Sequence, residues 1–298
     1  MKHVFLGILS LCVSVAFGGV KPEALRPPNI VFILADDLGW QDVGFMGNSY
    51  IETSNLDRLA ESSVVFKNAY MYPTCSPSRA ALITGRHSFR TGVYMVPVIE
   101  KDNAEDNIFS RWTVEKKHPF YSEPLNRAGY KLAHFGKWHL VGPFLEQEQE
   151  YPFKTHLTQP PDGDFSWVEK HRTPEVQQYY PQGRGFHENV GGTFWGDPAR
   201  GYELGYEAPT GGYIAPYNNP FLEEGPEGEW LTDRLTSDAI AFMERNKQEP
   251  FFVNLQFYAP HLPVIARNEE LMKHFMEKEP CELTGHGAVP KKLEIHAR

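Results

Sequence analysis

Hydrophobic residues run unbroken from Ile30 to Ala35, after Asn29, and stop at two acids, Asp36 and Asp37. A run without alternation predicts a strand covered on both faces, as in a parallel sheet. Thr53 or Ser54 can then cap a helix through Leu56 and Leu59, and Val64 to Ala69 reads as a further strand. Ser76 is the candidate N-cap of a short helix, with Pro77 at its first position, Arg79 to Thr84 as its body and Gly85 as its stop. Another helix ends near Ala128-Gly129, and Tyr130 to Phe135 reads as a strand. From about Val141 to Gly228 Pro, Gly and aromatics dominate and periodicity fades. Thr232 then caps an amphipathic helix from Asp233 to Lys247, with Leu235, Ile240 and Phe242 among its apolar positions. Pro250 opens a last apolar strand, Phe251 to Tyr258. Strands alternating with helices predict an α/β fold with a mostly parallel central sheet flanked by helices. Asp36-Asp37, Lys137-Trp138-His139 and His261 all follow predicted strands, so one rim of the sheet should gather them.

The chain has 298 residues and a formal net charge of -9. An acidic balance argues against nucleic acid as a partner, which would call for clustered Lys and Arg. Lys2 and His3 precede an apolar run from Val4 to Phe17, with Ala16-Phe17-Gly18 as a small-x-small cleavage site. Residues 1–18 are therefore read as a signal peptide, too short for a membrane span, and the mature protein as secreted or periplasmic without a membrane span. Cys12 goes with that segment. Cys75 and Cys281 remain, a pair that an oxidising compartment would ordinarily join.

The surroundings of Cys75 point elsewhere. Cys75-Ser76-Pro77-Ser78-Arg79-Ala80-Ala81-Leu82-Ile83-Thr84-Gly85-Arg86 resembles the signature of type I sulfatases, enzymes of the alkaline-phosphatase-like superfamily. In that family Cys-x-Pro-x-Arg directs conversion of the cysteine to formylglycine by a maturation enzyme. The resemblance implies hydrolysis of sulfate esters, a calcium ion held by Asp36, Asp37 and the modified Cys75, and Arg79 beside the nucleophile. Gly136-Lys137-Trp138-His139 resembles the family's second motif, with Leu132 and Phe135 departing from the residues usual there. It implies that Lys137 binds sulfate and that His139 bonds a formylglycine hydroxyl. His261 in Ala259-Pro260-His261-Leu262-Pro263 resembles the family's Pro-His-x-Pro segment, which implies sulfate binding or protonation of the leaving alkoxide.

The resemblance covers roughly Pro28 to Glu279, so residues 26–280 are read as a sulfatase N-terminal catalytic domain and 281–298 as an atypical tail. Family members continue to a Ser-Asp-Asn-Gly segment whose Asp and Asn complete the metal site. These 298 residues hold no such segment, and the chain as it stands is expected to bind calcium poorly and turn over weakly. Thr232-Asp233-Arg234-Leu235 resembles members acting on sulfated carbohydrates. Trp195, Tyr202, Tyr206, Tyr213 and Trp230 read equally as a sugar-stacking wall or as loop packing. The alternatives are a phosphomonoester or phosphonate hydrolase of the same superfamily, or a non-catalytic binding protein on this scaffold. His87, His118, His156 and His171 show no ligand spacing.

Overall fold

Apolar runs become inner strands only where chain covers them from above and below, and two of the predicted runs meet that condition. The computed structural model describes residues 26–96, 110–142, 171–198, 212–217, 219–262 and 264–278. Among these are four strands, β1 (Ile30–Leu34), β2 (Lys131–Gly136), β3 (Glu188–Val190) and β4 (Phe251–Gln256). They lie in the order β1-β4-β2-β3, with every pair parallel. Leu34 sits beside Gln256 on one side of β4, and His134 beside Asn254 on the other. Helices α1 (Ser54–Glu61), α2 (Cys75–Thr84), α3 (Ser88–Thr91), α4 (Ser122–Arg127), α5 (Pro174–Gln177), α6 (Leu231–Arg245) and α7 (Glu269–Glu277) accompany them.

Side chains alternate across each strand, so each face builds its own core. Leu132 and Phe252 pack with Ala80 and Ile83 of α2 and with Trp138 and Phe186 on one face. Ala133, Phe135, Val253 and Leu255 pack with Leu235, Ala239 and Phe242 of α6 on the other. Leu132 and Phe135, the two departures from the family's second motif, are both buried, one in each core. The Phe135 ring meets Phe242 edge-on, with centroids 6.1 Å apart.

Four expectations need correction. All six residues of β4 are buried, but β1 alternates, leaving Val31 and Ile33 47% and 59% exposed. Ile30 and Phe32 pack on the core that contains α2, while the other side of β1 has no layer over it among the described residues. Residues 64–69 form no strand: Val64 and Phe66 are both 79% exposed and no strand among the described residues pairs with them. A β-former without a partner for its backbone groups has no ladder to join. The helix carrying Cys75 starts earlier than predicted, with Thr74 at the N-cap and Cys75 as its first residue. Pro77 is still tolerated there, because the first four amides of a helix have no partner inside it. Helix α6 likewise begins at Leu231, after Trp230, rather than at Asp233. Trp230 stacks on Tyr213 at 5.3 Å, and Leu231 N donates to Tyr213 O at 2.8 Å, so tertiary contacts start the helix before its best local cap.

The region of fading periodicity contributes β3, which pairs Ala133 with Glu188 and Phe135 with Val190. Three residues carry too little pattern to register as a strand. Trp195 and Tyr213 are buried and Trp230 is half-buried against Tyr213, which places them in packing; Tyr202 and Tyr206 lie outside the described residues.

Phe135→Ala should empty a filled position between the sheet and α6 and destabilise the fold by about 3–5 kcal/mol. Urea denaturation of the variant against the parent measures it, and a loss below about 1 kcal/mol would show that the position repacks.

Candidate active site

The sheet ends and the residues just beyond them hold the site. Asp36 follows β1 and is 5% exposed; its amide donates to Ala259 O at 3.1 Å, tying it to the segment after β4. Asp37 turns back toward solvent with φ at 62°, a left-handed conformation that Asp tolerates better than most residues. On β2 the turn begins at Gly136, φ 89°, where a Cβ would lie 2.1 Å from the backbone oxygen of Gln256. Only glycine fits so close to the neighbouring strand. His139, also left-handed with φ 57°, is fixed by its amide donating to Thr193 O at 3.0 Å. Its ring faces Gly196, where a Cβ would come within 2.7 Å of the imidazole. His261 follows β4 through the Ala259-Pro260 cis peptide, and its carbonyl accepts from Tyr213 Oη at 2.8 Å.

Cys75 and Arg79 are four apart on α2 and therefore share a face. The Cys75 Sγ lies 3.4 Å from His139 Nδ1. Ser76, predicted to cap the helix, instead directs Oγ at the same imidazole, 3.4 Å from Nδ1. Arg79 is 2% exposed, with Nη2 3.3 Å from Asp36 Oδ1. Lys137 Nζ bonds the other oxygen, Oδ2, of Asp36. Two buried cations thus converge on one buried carboxylate. The excess positive charge, at a helix N-terminus, suits an anionic guest.

Burial pushes Lys137 below the ordinary lysine range, and Arg79 adds to that push against Asp36 and Cys75. Burial also drives His139 well below the usual histidine range, with Lys137, Arg79 and His261 acting in the same sense. His139 is therefore neutral at pH 7, able to accept or donate one hydrogen bond from each ring nitrogen according to its tautomer. His261 stands at the rim. Its Nε2 lies 3.7 Å from Asp37 Oδ2 and its Nδ1 2.9 Å from Leu262 O.

Every predicted site residue reaches this one rim: Asp36, Asp37, Cys75, Arg79, Lys137, His139 and His261. They do not by themselves make a calcium site. Calcium takes six to eight oxygens, and among the described residues no group of three or more His, Cys, Asp or Glu is disposed to hold a metal. Both Asp36 oxygens already face cations. Ser76, Thr193 and Gln256 also reach the site and were not predicted there; Tyr213, read as sugar wall or loop packing, meets the carbonyl of His261. Of these, Gln256 had a legible signal, a polar residue that with Asn254 interrupts an apolar strand.

Asp36→Asn should leave Arg79 and Lys137 buried without their anion and destabilise by about 3–5 kcal/mol. Asp37→Asn, at a side chain 58% exposed, should shift stability by no more than about 0.5 kcal/mol. Chemical denaturation of both variants reads the contrast, and equal losses would refute the buried triad.

The histidines set the acid limb. Burial holds His134 down to about 3 and His139 well below its usual value. Unfolded, each takes a proton near its ordinary value of 6.5, so their contribution is complete above that pH and is lost as pH falls toward the folded values. Stability should drop by on the order of 1 kcal/mol per pH unit for each buried group below that point. His134→Gln should flatten the slope measured by denaturation between pH 7 and 5; an unchanged slope would place His134 outside the effect.

Comparison with known proteins gives this arrangement its lineage. The Sulfatase family model matches residues 28–282. The chain is 31% identical over 267 residues to N-acetylgalactosamine-6-sulfatase of Mus musculus, covering 88% of this chain and 45% of that protein. It is 28% identical over 296 residues to a sulfatase of Formosa agariphila, covering 93% and 52% respectively. The crystal structure of Ps i-CgsB in complex with k-i-k-neocarrahexaose superposes with a TM-score of 0.54 at 30% identity, over 85% of this chain and 50% of that one. The chain spans about half the length of the curated relatives it matches. With its signature cysteine heading a helix beside a paired aspartate, lysine and histidine, the chain belongs to the sulfatase family.

Proposed function

We propose that this chain takes part in hydrolysis of sulfate esters on carbohydrates, with Cys75, converted to formylglycine by a maturation enzyme, as the nucleophile. The observation that carries the reading is the Cys75 Sγ at 3.4 Å from His139 Nδ1, at the head of the helix whose Arg79 shares Asp36 with Lys137. The thiol sulfur stands where an oxygen of the hydrated aldehyde would lie. Support for the substrate class comes from relatives named N-acetylgalactosamine-6-sulfatase and from the neocarrahexaose complex of Ps i-CgsB. Export under the leader at residues 1–18 belongs to the same proposal. Among the described residues no helix is long and apolar enough to cross a membrane.

A formylglycine diol would carry the reaction in two halves. One hydroxyl loses its proton to water and attacks sulfur, the S–O bond to the sugar breaks, and the leaving alkoxide takes a proton, for which the rim imidazole of His261 would serve as general acid. The second hydroxyl then gives up its proton, its electron pair forms the C=O bond, and the C–O bond to sulfate breaks. Water re-forms the diol. His139, neutral because it is buried among cations, holds one hydroxyl in line. Lys137 and Arg79 offset the charge of the sulfate and of the developing oxyanion. A calcium ion, where bound, would be held in part by Asp36, Asp37 and modified Cys75 and would supply charge neutralisation for the sulfate.

Mass spectrometry of the Cys75 peptide, from cells that also convert a control sulfatase, should show the aldehyde mass. In the full-length enzyme Cys75→Ser should stall as a sulfate ester after one cycle, while Lys137→Ala should lower kcat/KM by about 10²–10³-fold. Thiol alone at Cys75, or normal turnover by the Cys75→Ser enzyme, would rule out the nucleophile.

A further inference from the structure

A chain of buried polar groups runs through the core behind Arg79. Asn254 and Gln256 alternate with Leu255 on β4, so both point to the face that carries Phe252 and α2. They are 0% and 3% exposed, and His134, beside Asn254 in the register, is 0% exposed. Amides inside a central strand are unfavourable unless every polar atom is paired. Here they are paired in one direction. Arg79 Nη1 donates to Gln256 Oε1 at 2.5 Å, and Gln256 Nε2 donates to Asn254 Oδ1 at 3.0 Å. Tyr121 Oη donates to that same Asn254 oxygen at 3.0 Å. Asn254 Nδ2 then donates to His134 Nδ1 at 2.9 Å. His134 Nδ1 must therefore accept, which puts the ring proton on Nε2, 3.0 Å from Gly136 O.

The ladder closes on itself. Gly136 precedes Lys137, whose amide donates to Gln256 O at 2.8 Å and whose carbonyl accepts from Arg79 Nη1 at 2.8 Å. Nη1 is thus the anchored corner of the guanidinium. Nε and Nη2 have no hydrogen-bond partner among the described residues, Nη2 having only the ion pair with Asp36.

We infer that Gln256, backed by Asn254 and His134, is a positioning residue that fixes the guanidinium of Arg79 and, through it, the cations gathered on Asp36. Its effect on turnover rests on the sulfate-ester reading; its effect on Arg79 does not. With Gln256 removed, Lys137 O is the one hydrogen-bond acceptor left on Nη1 among the described residues and Nη2 keeps only its ion pair with Asp36, so the plane of the guanidinium is less tightly fixed. A residue that merely filled the core would change stability without touching Arg79.

The test uses the full-length enzyme matured with a formylglycine-generating enzyme and labelled with ¹⁵N in arginine and histidine. Wild type should show slowly rotating Arg79 Nη–H groups and a neutral His134 protonated on Nε2. Gln256→Met should average the Arg79 signals and lower kcat about 100-fold, with KM changed much less, as expected for a misplaced charge partner. Gln256→Glu keeps an acceptor and should restore restricted Arg79 motion and most of the turnover. Unaltered Arg79 signals in Gln256→Met, or a His134 protonated on Nδ1 in wild type, would overturn the inference; the second readout needs no variant to fold. Ordered Arg79 with no sulfate release by wild type would defeat the sulfatase reading and leave the positioning role standing.

Discussion

The carboxylate of Asp36, buried with Arg79 on one oxygen and Lys137 on the other, is the interaction on which the remaining geometry depends. Each partner arrives from a different element: Asp36 from the end of β1, Arg79 from α2 and Lys137 from the end of β2. Removing Asp36 leaves two cations in the interior without their anion, a far larger penalty than the net worth of the pairs. The pairing therefore specifies where α2 must sit over the sheet, and Cys75, one turn earlier on the same face, goes with it. A structural constraint and a chemical one coincide in the same three side chains.

Charge imbalance is the second consequence. Two cations against one carboxylate would be an unfavourable arrangement in a site that stayed empty of anions. An anion entering the site would offset it, and the surplus sits at the rim although the chain as a whole carries a net charge of -9. Burial among those cations keeps His139 neutral. At the open edge of the same rim, His261 is left partly exposed beside Asp37. The two histidines thus differ in environment, one buried among cations and one at the open rim. Left-handed backbone at both Asp37 and His139 marks where the chain turns sharply to bring side chains back over the strand ends.

Residue pattern and composition carried the α/β class, the two inner strands, the short helix at the Cys75 motif and the convergence of Asp36, Asp37, Lys137, His139 and His261 on one rim, while the sulfatase resemblance added Cys75 and Arg79. Those features are local: an unbroken apolar run, a twelve-residue motif and a Gly-Lys-x-His turn each state their structure within a few residues. Tertiary structure decided the rest. Val64 to Ala69 has strand composition but no partner strand among the described residues, and composition does not supply one. Glu188–Val190 has little composition signal, yet β2 offers it an open edge. Ser76 was legible as a helix cap until His139, sixty-three residues away, took its hydroxyl. The polar ladder from Arg79 to His134 is likewise invisible along the chain, because its members come from α2, β4 and β2 and meet only through register. Sequence specifies which groups are available; which of them must pair is settled when burial removes water as the alternative partner.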